Sequence, residues 1–213
     1  MATDQTNTSG LSAARVEALS DGVFAIVMTL LILDVKIPQL GHLPDEDQLN
    51  AAILALWPQA VCYVMGFITS GALWIAHRGQ FHYVHRTDRT LLWLNILFLM
   101  VVSSIPFFTG LLGQYPGRAV PTALYGINMV VAVLMLLVHW RYACRHRHLL
   151  SASVTEDVVR KQTRRILVGP VVYLLALALV PWSPWTSLVL YCVVAVAYIL
   201  PSGVDRHWLS AHS

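Results

Sequence analysis

The chain has 213 residues, of which 57% are hydrophobic and only 12% are charged, and its mean hydropathy is +0.63. A soluble domain carries about 25% charged residues, so the composition excludes an ordinary soluble protein and indicates an integral membrane protein. The net charge of +3 is small, and the basic residues are spread over short connections, which argues against a nucleic-acid-binding surface. Three cysteines lie far apart in apolar segments without a CxxC spacing, so no disulfide framework is expected.

Six segments reach the length that a membrane-spanning helix needs, about 20 mostly apolar residues. The connections between them are short and carry charged residues, proline or glycine. The sequence therefore predicts an all-α integral membrane protein with one six-helix domain over residues 15–203. A disordered tail over 1–14 is predicted to precede this domain, and a second tail over 204–213 is predicted to follow it. The predicted spans are 16–37, 50–76, 88–112, 120–143, 164–182 and 185–202.

Lysine and arginine are strongly segregated along the chain. Most of them lie in the connections after spans two and four, and the opposite side holds only Lys36 and Arg118, beside the acidic run 45–47. Because positive charge is retained on the cytoplasmic side, both termini and the two basic connections are predicted to be cytoplasmic. The expected location is the plasma or inner membrane.

The connection over 143–165 is the only sizeable polar stretch between spans. We favour a solvated loop against anionic headgroups. A short cytoplasmic helix is the alternative, with Thr155 as its N-cap and Glu156 and Asp157 in its first turn.

The first span combines an apolar helix with charged residues near both of its ends. At about 100° per residue, Ile26, Leu30 and Leu33 share one narrow face, which Thr29 flanks. Asp21 falls on the opposite side of the helix. Periodicity alone leaves two interpretations of the aliphatic stripe open. It packs against lipid or a neighbouring helix, which is the commoner case, or it forms a hydrophobic constriction that gates an ion pathway by dewetting.

A carboxylate at the depth of Asp21 needs partners, because ionisable groups inside a membrane are costly. Trp74, His77 and Asn95 are the candidates, since they lie near the same predicted end of spans two and three and supply N–H donors. We expect this network to hold three helices together, with a direct part in proton or ion movement as the alternative.

Asp34 lies beside the stripe, towards the predicted outer end of the first span. The simplest interpretation is a local pair with Lys36 or a lone carboxylate that reaches the interface. Alternatively, Asp34 attracts cations to an external mouth.

The start of the first span resembles a known signature. Arg15-x-x-x-Leu19-Ser20-Asp21 is similar to the R-x-x-x-F-S-D motif of the endolysosomal transmembrane potassium channel family and its bacterial homologues. Leu19 replaces the phenylalanine of that motif, which leaves the arginine, serine and aspartate chemistry intact. Further similarity covers Trp74-x-x-His77-x-x-x-Phe81, Asn95 with Ile105-Pro106-Phe107, and Leu124-Tyr125-Gly126.

The resemblance implies a homotetrameric, potassium-permeable channel in which the first helices of four subunits surround the pore. On this basis Ile26, Leu30 and Leu33 correspond to the pore constriction, and Thr29 to a threonine linked to potassium preference. No TVGYG segment occurs, so we expect modest selectivity, because branched alkyl groups cannot replace water as ligands of the ion. The resemblance also implies an inter-helix network of Arg15, Ser20, Asp21, Trp74, His77 and Asn95.

Two other classes of function fit the sequence less well. A proton-coupled secondary transporter would use the buried aspartate and histidines, but we find no paired repeats or correspondingly broken spans. A membrane enzyme or metal site on His77, His82 and His85 is disfavoured, because their H-x4-H-x2-H spacing is not a zinc signature. We therefore expect no catalytic residue, no cofactor and no metal beyond permeating potassium. The expected partners are further copies of this chain and the lipid bilayer, without nucleic acid or an obligatory protein partner.

Overall fold

The computed structural model describes residues 13–36, 45–151 and 154–199, and all regular elements in these ranges are helical. The predicted tails therefore lie outside the described residues, apart from Ala13 and Ala14, which begin the first helix. A 3₁₀ turn, Leu31–Asp34, extends α1, and a second, Arg147–Leu149, follows α6. The helices are α1 Ala13–Leu30, α2 Glu46–Leu54, α3 Trp57–Phe81, α4 Arg89–Ser103, α5 Ile105–Gln114, α6 Ala119–Arg145, α7 Glu156–Leu179 and α8 Pro184–Ile199.

Five helical stretches are long and apolar enough to cross a membrane, and they overlap the first five predicted spans. The helix in the place of the sixth span, α8, is apolar but has only 16 residues. The prediction of an all-α membrane protein is confirmed. The five long stretches are Ala13–Asp34, Glu46–Phe81, Arg89–Gln114, Ala119–Arg145 and Glu156–Leu179.

Two of these stretches consist of two helices each, and a proline follows each interruption. Pro58 lies in the first turn of α3, and Pro106 in the first turn of α5. Proline has no N–H to donate and its ring clashes with the carbonyl four residues earlier, which favours a break in the helix just before each of these prolines. The breaks fall at 55–56 and at Ser104.

The favoured prediction of a solvated loop over 143–165 is wrong for its second half. α7 begins at Glu156 and continues without interruption into the fifth span. The Thr155 hydroxyl accepts a hydrogen bond from the Val158 N–H at 3.4 Å, so the predicted N-cap serves the spanning helix itself. The Trp140 indole N–H also donates to Thr163 at 3.0 Å, which fixes the start of α7 against α6.

The core lies around α6, which packs against α4, α5 and α7. Tyr125, Met129 and Ala132 of this helix are fully buried. α1 packs on α3 and α4 through Phe24 and Val27, both 1% exposed. About half of the α6 residues are buried, and α3 forms a second centre of packing against α1, α5 and α8. The outward faces of the helices carry exposed apolar side chains.

A second, smaller cluster closes the end of the bundle that is predicted to be cytoplasmic. An antiparallel bridge joins Val84 to Leu150, so the connections after α3 and α6 lie side by side. Asp88 caps α4 by accepting from the Leu91 N–H at 2.8 Å, and its other oxygen accepts from the Tyr142 hydroxyl at 2.7 Å. Burial by itself raises the pKa of the Asp88 carboxyl. The hydrogen bonds from Tyr142 and Leu91, with nearby histidines, outweigh burial and leave this pKa lowered.

Candidate functional site

α1 has one face packed on the chain and another that no described residue covers. Val16, Ser20, Phe24 and Val27 are buried at spacings of four, four and three residues. On other sides of the helix the exposed fractions are 59% for Ile26, 41% for Leu30 and 69% for Leu33. The predicted aliphatic stripe therefore lies on a surface that is available to a pore, to lipid or to another subunit.

Two further residues of α1 extend this uncovered surface. The Thr29 hydroxyl donates to the Ile26 carbonyl at 2.8 Å, so its proton is engaged within the helix while its oxygen can still accept. A Cβ placed on Gly22 would meet no atom within 4 Å. The stripe thus continues towards the start of α1 as open space rather than as a packed contact.

Ser20, His77 and Asn95 form a buried hydrogen-bonded chain across three helices. Asn95 Oδ1 lies 2.8 Å from His77 Nε2, and Asn95 Nδ2 donates to Ser20 Oγ at 3.2 Å. Ser20 donates in turn to the Val16 carbonyl at 2.9 Å. Because an amide oxygen only accepts, this arrangement requires a proton on His77 Nε2. The three side chains are at most 2% exposed, and their hydrogen bonds tie α1, α3 and α4 together.

Asp21 has a different partner from the buried chain. The Trp74 indole N–H donates to Asp21 Oδ1 at 2.7 Å, and the Arg78 guanidinium lies 5.6 Å from the Trp74 ring centre. Of the three partners predicted for Asp21, only Trp74 bonds to it, because His77 and Asn95 are joined to each other. Asp21 itself is exposed, so it lies at the edge of the packed face of α1 and not inside it.

Arg15 does not join these contacts. Its side chain is exposed and forms no ion pair with a residue in the described ranges. It lines a cavity at the start of α1 together with Leu19, Arg89 and Trp93. The structure therefore brings five of the six predicted network residues into two groups and leaves the arginine apart.

Asp34 lies against α5. A Cβ on Gly110 would come within 2.6 Å of the Asp34 carboxyl carbon, so the carboxylate is packed directly on this glycine. Gln59 and Thr109 line the same small cavity. Within the described part of the chain Asp34 makes no contact ion pair with Lys36. The backbone N–H of Lys36 donates to Gln59 Oε1 at 2.8 Å. The carboxylate is half-buried between helices, so Lys36 acts on it only through a longer-range electrostatic interaction and not through a contact ion pair.

Two polar residues that we did not single out from the sequence extend the buried chain into α6. The rings of His77 and His139 stack at 5.8 Å, and His139 Nδ1 lies 3.4 Å from Gln80 Oε1. The Gln80 amide donates to the Leu136 carbonyl at 3.0 Å. Both side chains are buried. The signal in the sequence is His139 within the otherwise apolar fourth span, since buried polar groups need partners. Gln80 lies just past the predicted end of span two and carries no such signal.

Comparison with known proteins identifies the class. A family model described as the endosomal/lysosomal potassium channel TMEM175 matches residues 15–106. A potassium channel of Streptomyces collinus is 37% identical over 190 residues, which cover 87% of this chain and 91% of that protein. A potassium channel of Chamaesiphon minutus is 35% identical over 192 residues, covering 88% and 94%. The fold also matches a crystal structure from Chamaesiphon minutus, which is described as a homologue of the lysosomal potassium-selective channel TMEM175. The two structures superimpose with a TM-score of 0.78 at 33% identity, and the match covers 88% of this chain and 96% of that one.

The helical fold and these matches define a multi-pass membrane protein whose relatives are ion channels and not enzymes. The chain belongs to the TMEM175 family. The mouse endosomal/lysosomal proton channel TMEM175 is 44% identical over 101 residues, which are 45% of this chain and 20% of that protein. The potassium channel MtTMEM175 shares the fold, with a TM-score of 0.58 at 18% identity over 97% of this chain and 99% of that one.

Proposed function

We propose that this chain forms a potassium-permeable, moderately selective cation channel of the cell membrane, as a homotetramer whose first helices surround a central pore. The observation that carries the proposal is the uncovered aliphatic face of α1, in a chain whose relatives are named potassium channels. The proposed orientation has both termini in the cytoplasm, on the basis of the lysine and arginine distribution.

Ile26, Leu30 and Leu33 form the proposed constriction. At 1.5 Å per residue their side chains extend over about 10 Å of the helix axis. A narrow ring of branched alkyl groups excludes hydrated ions by dewetting when it is closed. When it is open, ions pass with at least part of their hydration shell, because the ring offers no ligand in its place. The selectivity expected from such a pore is modest compared with that of a filter built from carbonyl groups.

Thr29 and Asp34 have secondary roles in the proposed pore. Thr29 flanks the constriction and keeps an oxygen free to accept a hydrogen bond from water in the ion's shell. Asp34 lies towards the outer end of α1, where a carboxylate raises the local concentration of cations. Because Asp34 also packs on Gly110, its proposed contribution is long-range attraction and not direct ligation.

The hydrogen bonds of α1 are proposed to hold the pore helix in its orientation. Ser20 bonds to α4 and Asp21 to α3, so rotating α1 would break both contacts. A rotation of one residue, about 100°, would also turn Ile26 away from the exposed side. The alternative of a proton-coupled carrier is not favoured, since the relatives are named channels.

Planar-bilayer recording of the purified protein tests the pore assignment. The wild type is expected to carry potassium currents. Ile26→Asn is expected to raise the single-channel conductance severalfold, because an amide wets the constriction. Ile127→Asn is the matched control, since Ile127 is 47% exposed on α6, compared with 59% for Ile26.

Three outcomes would contradict the proposal. Unchanged conductance in both Ile26→Asn and Leu30→Asn channels would show that the stripe does not line the pore. A mass corresponding to one or two chains, measured by light scattering in detergent, would exclude the tetramer. An equal rise for Ile127→Asn would mean that the effect reflects general loosening of the bundle.

A further inference from the structure

A cleft of about 130 Å³ separates the second half of α3 from α7, with α6 at its base. The α3 residues on its wall include Ala72, Ala76 and Gly79, which share one helix face at spacings of four and three residues. A Cβ on Gly79 would meet only the Gln162 amide, at 4.0 Å. Because the facing side chains are so small, α3 and α7 leave a gap between them.

The deep part of the cleft is apolar. Leu73, Leu136 and Ile166 line it from α3, α6 and α7, and each is at most 7% exposed. The Tyr173 ring lies further along α7 on the same wall. Such a lining, at the depth of spanning helices, matches an alkyl chain rather than a polar solute, since polar groups lose hydration there without gaining partners.

The mouth of the cleft is polar and basic. His82 and Tyr83 lie at the end of α3, and Gln162 and Arg165 near the start of α7. Arg165 is exposed and forms no ion pair with a residue in the described ranges.

The acidic residues in the first turn of α7 lie about two turns before Arg165, and each is already paired with another basic residue. Glu156 pairs with Arg147, and Asp157 pairs with Lys161 at 2.8 Å. Arg160 and Arg164 add further positive charge along the first turns of α7. The mouth is therefore a cationic site at the end of the bundle that is predicted to be cytoplasmic.

We propose that this cleft binds an anionic phospholipid of the cytoplasmic leaflet, with its phosphate at Arg165 and one acyl chain between α3 and α7. Basic pockets between spanning helices on the cytoplasmic side bind anionic headgroups. Here the basic rim continues directly into an apolar cavity, so one amphiphile fits both parts. The lipid would bridge α3 to α7, two helices that are otherwise joined mainly through α8. This site is separate from the α1 surface and does not depend on ion permeation.

Native mass spectrometry of the purified protein with added phosphatidylglycerol or phosphatidylcholine tests the proposal. Tighter binding of phosphatidylglycerol is expected. Arg165→Gln should weaken the binding of phosphatidylglycerol about fivefold, which is the effect of one basic residue near the headgroups. Arg160→Gln, on the same helix, is the control and should change this affinity less than about twofold. Ala76→Leu should weaken binding by filling the cleft, and Ala178→Leu, on the exposed side of α7, should not.

A second measurement uses the wild type alone, so it does not depend on the folding of variants. Phosphatidylglycerol with a diazirine in one acyl chain should crosslink to the segments 69–79 and 162–173. Crosslinking spread evenly over all helices would overturn the proposal. Equal affinity for both lipids would also overturn it, as would unchanged binding in the Ala76→Leu variant. Displacement of the lipid by soluble glycerol phosphate at equal concentration would show that the cleft takes no chain, and would equally refute it.

Discussion

The bond between His77 and Asn95 is expected to contribute measurably to the stability of the helix bundle. The two atoms are 2.8 Å apart, and both side chains are at most 2% exposed. Hydrogen bonds between helices inside membranes contribute about 0.6 kcal/mol on average and about 1.7 kcal/mol at most. We expect a coupling near the upper end, about 1 to 1.7 kcal/mol, because the pair is fully buried and Asn95 also bonds to Ser20.

Each single substitution should lower the free energy of unfolding by more than the coupling energy between His77 and Asn95. Asn95→Ala leaves the His77 N–H buried without an acceptor, and an unsatisfied buried group costs about 1 to 3 kcal/mol. The measurement is a double-mutant cycle of His77→Ala and Asn95→Ala, followed by tryptophan fluorescence during unfolding by sodium dodecyl sulfate in mixed micelles. Asn50→Ala, at an exposed position of α2, is the control and should leave the free energy of unfolding unchanged.

A coupling below about 0.3 kcal/mol, within the usual error of additivity, would refute the reasoning. It would mean that the two side chains find other partners when separated, as polar groups in membrane proteins often do. A large coupling with normal assembly would support the structural role of the network. Altered ion preference without any loss of stability would instead favour a direct part in permeation.

Two other changes test separate parts of the fold. Gly117→Ala should lower the free energy of unfolding by about 2 kcal/mol or more, because Gly117 has φ +71° and a Cβ there would clash with the Trp185 indole ring. Gly22→Ala is the control: a Cβ on Gly22 meets no atom within 4 Å, so this variant should not lower the thermal midpoint. The lowered pKa of Asp88 means that its stabilisation is present above its unfolded value of 3.8 and is lost as pH falls through the folded pKa. The free energy of unfolding, measured from pH 6 to pH 3, should therefore fall as the pH is lowered, and this fall should be smaller in the Asp88→Asn variant. An identical pH profile for wild type and variant would contradict the stabilising role of the Asp88 carboxylate.

Helix existence followed from the sequence more reliably than helix ends. Apolar stretches located the five long spans, because the bilayer requires about 20 apolar residues and the chain supplied them repeatedly. Hydropathy misplaces the start of α7, because 156–163 is polar and hydropathy cannot distinguish a solvated helix from a solvated loop. The N-cap signal at Thr155 did mark the correct residue, since capping depends on local backbone hydrogen bonds and not on burial.

The sequence by itself determined the membrane class and the angular layout of α1, because composition and a rotation of 100° per residue need no tertiary contact. It also nominated the polar residues that meet α1. Only the tertiary structure decided their pairing: Trp74 with Asp21, His77 with Asn95, and Asp34 against Gly110. Several donors lie at similar depth, so the relative rotation and separation of the helices select each partner. Those quantities come from packing across the whole bundle, including small residues that permit close approach, and no local pattern encodes them.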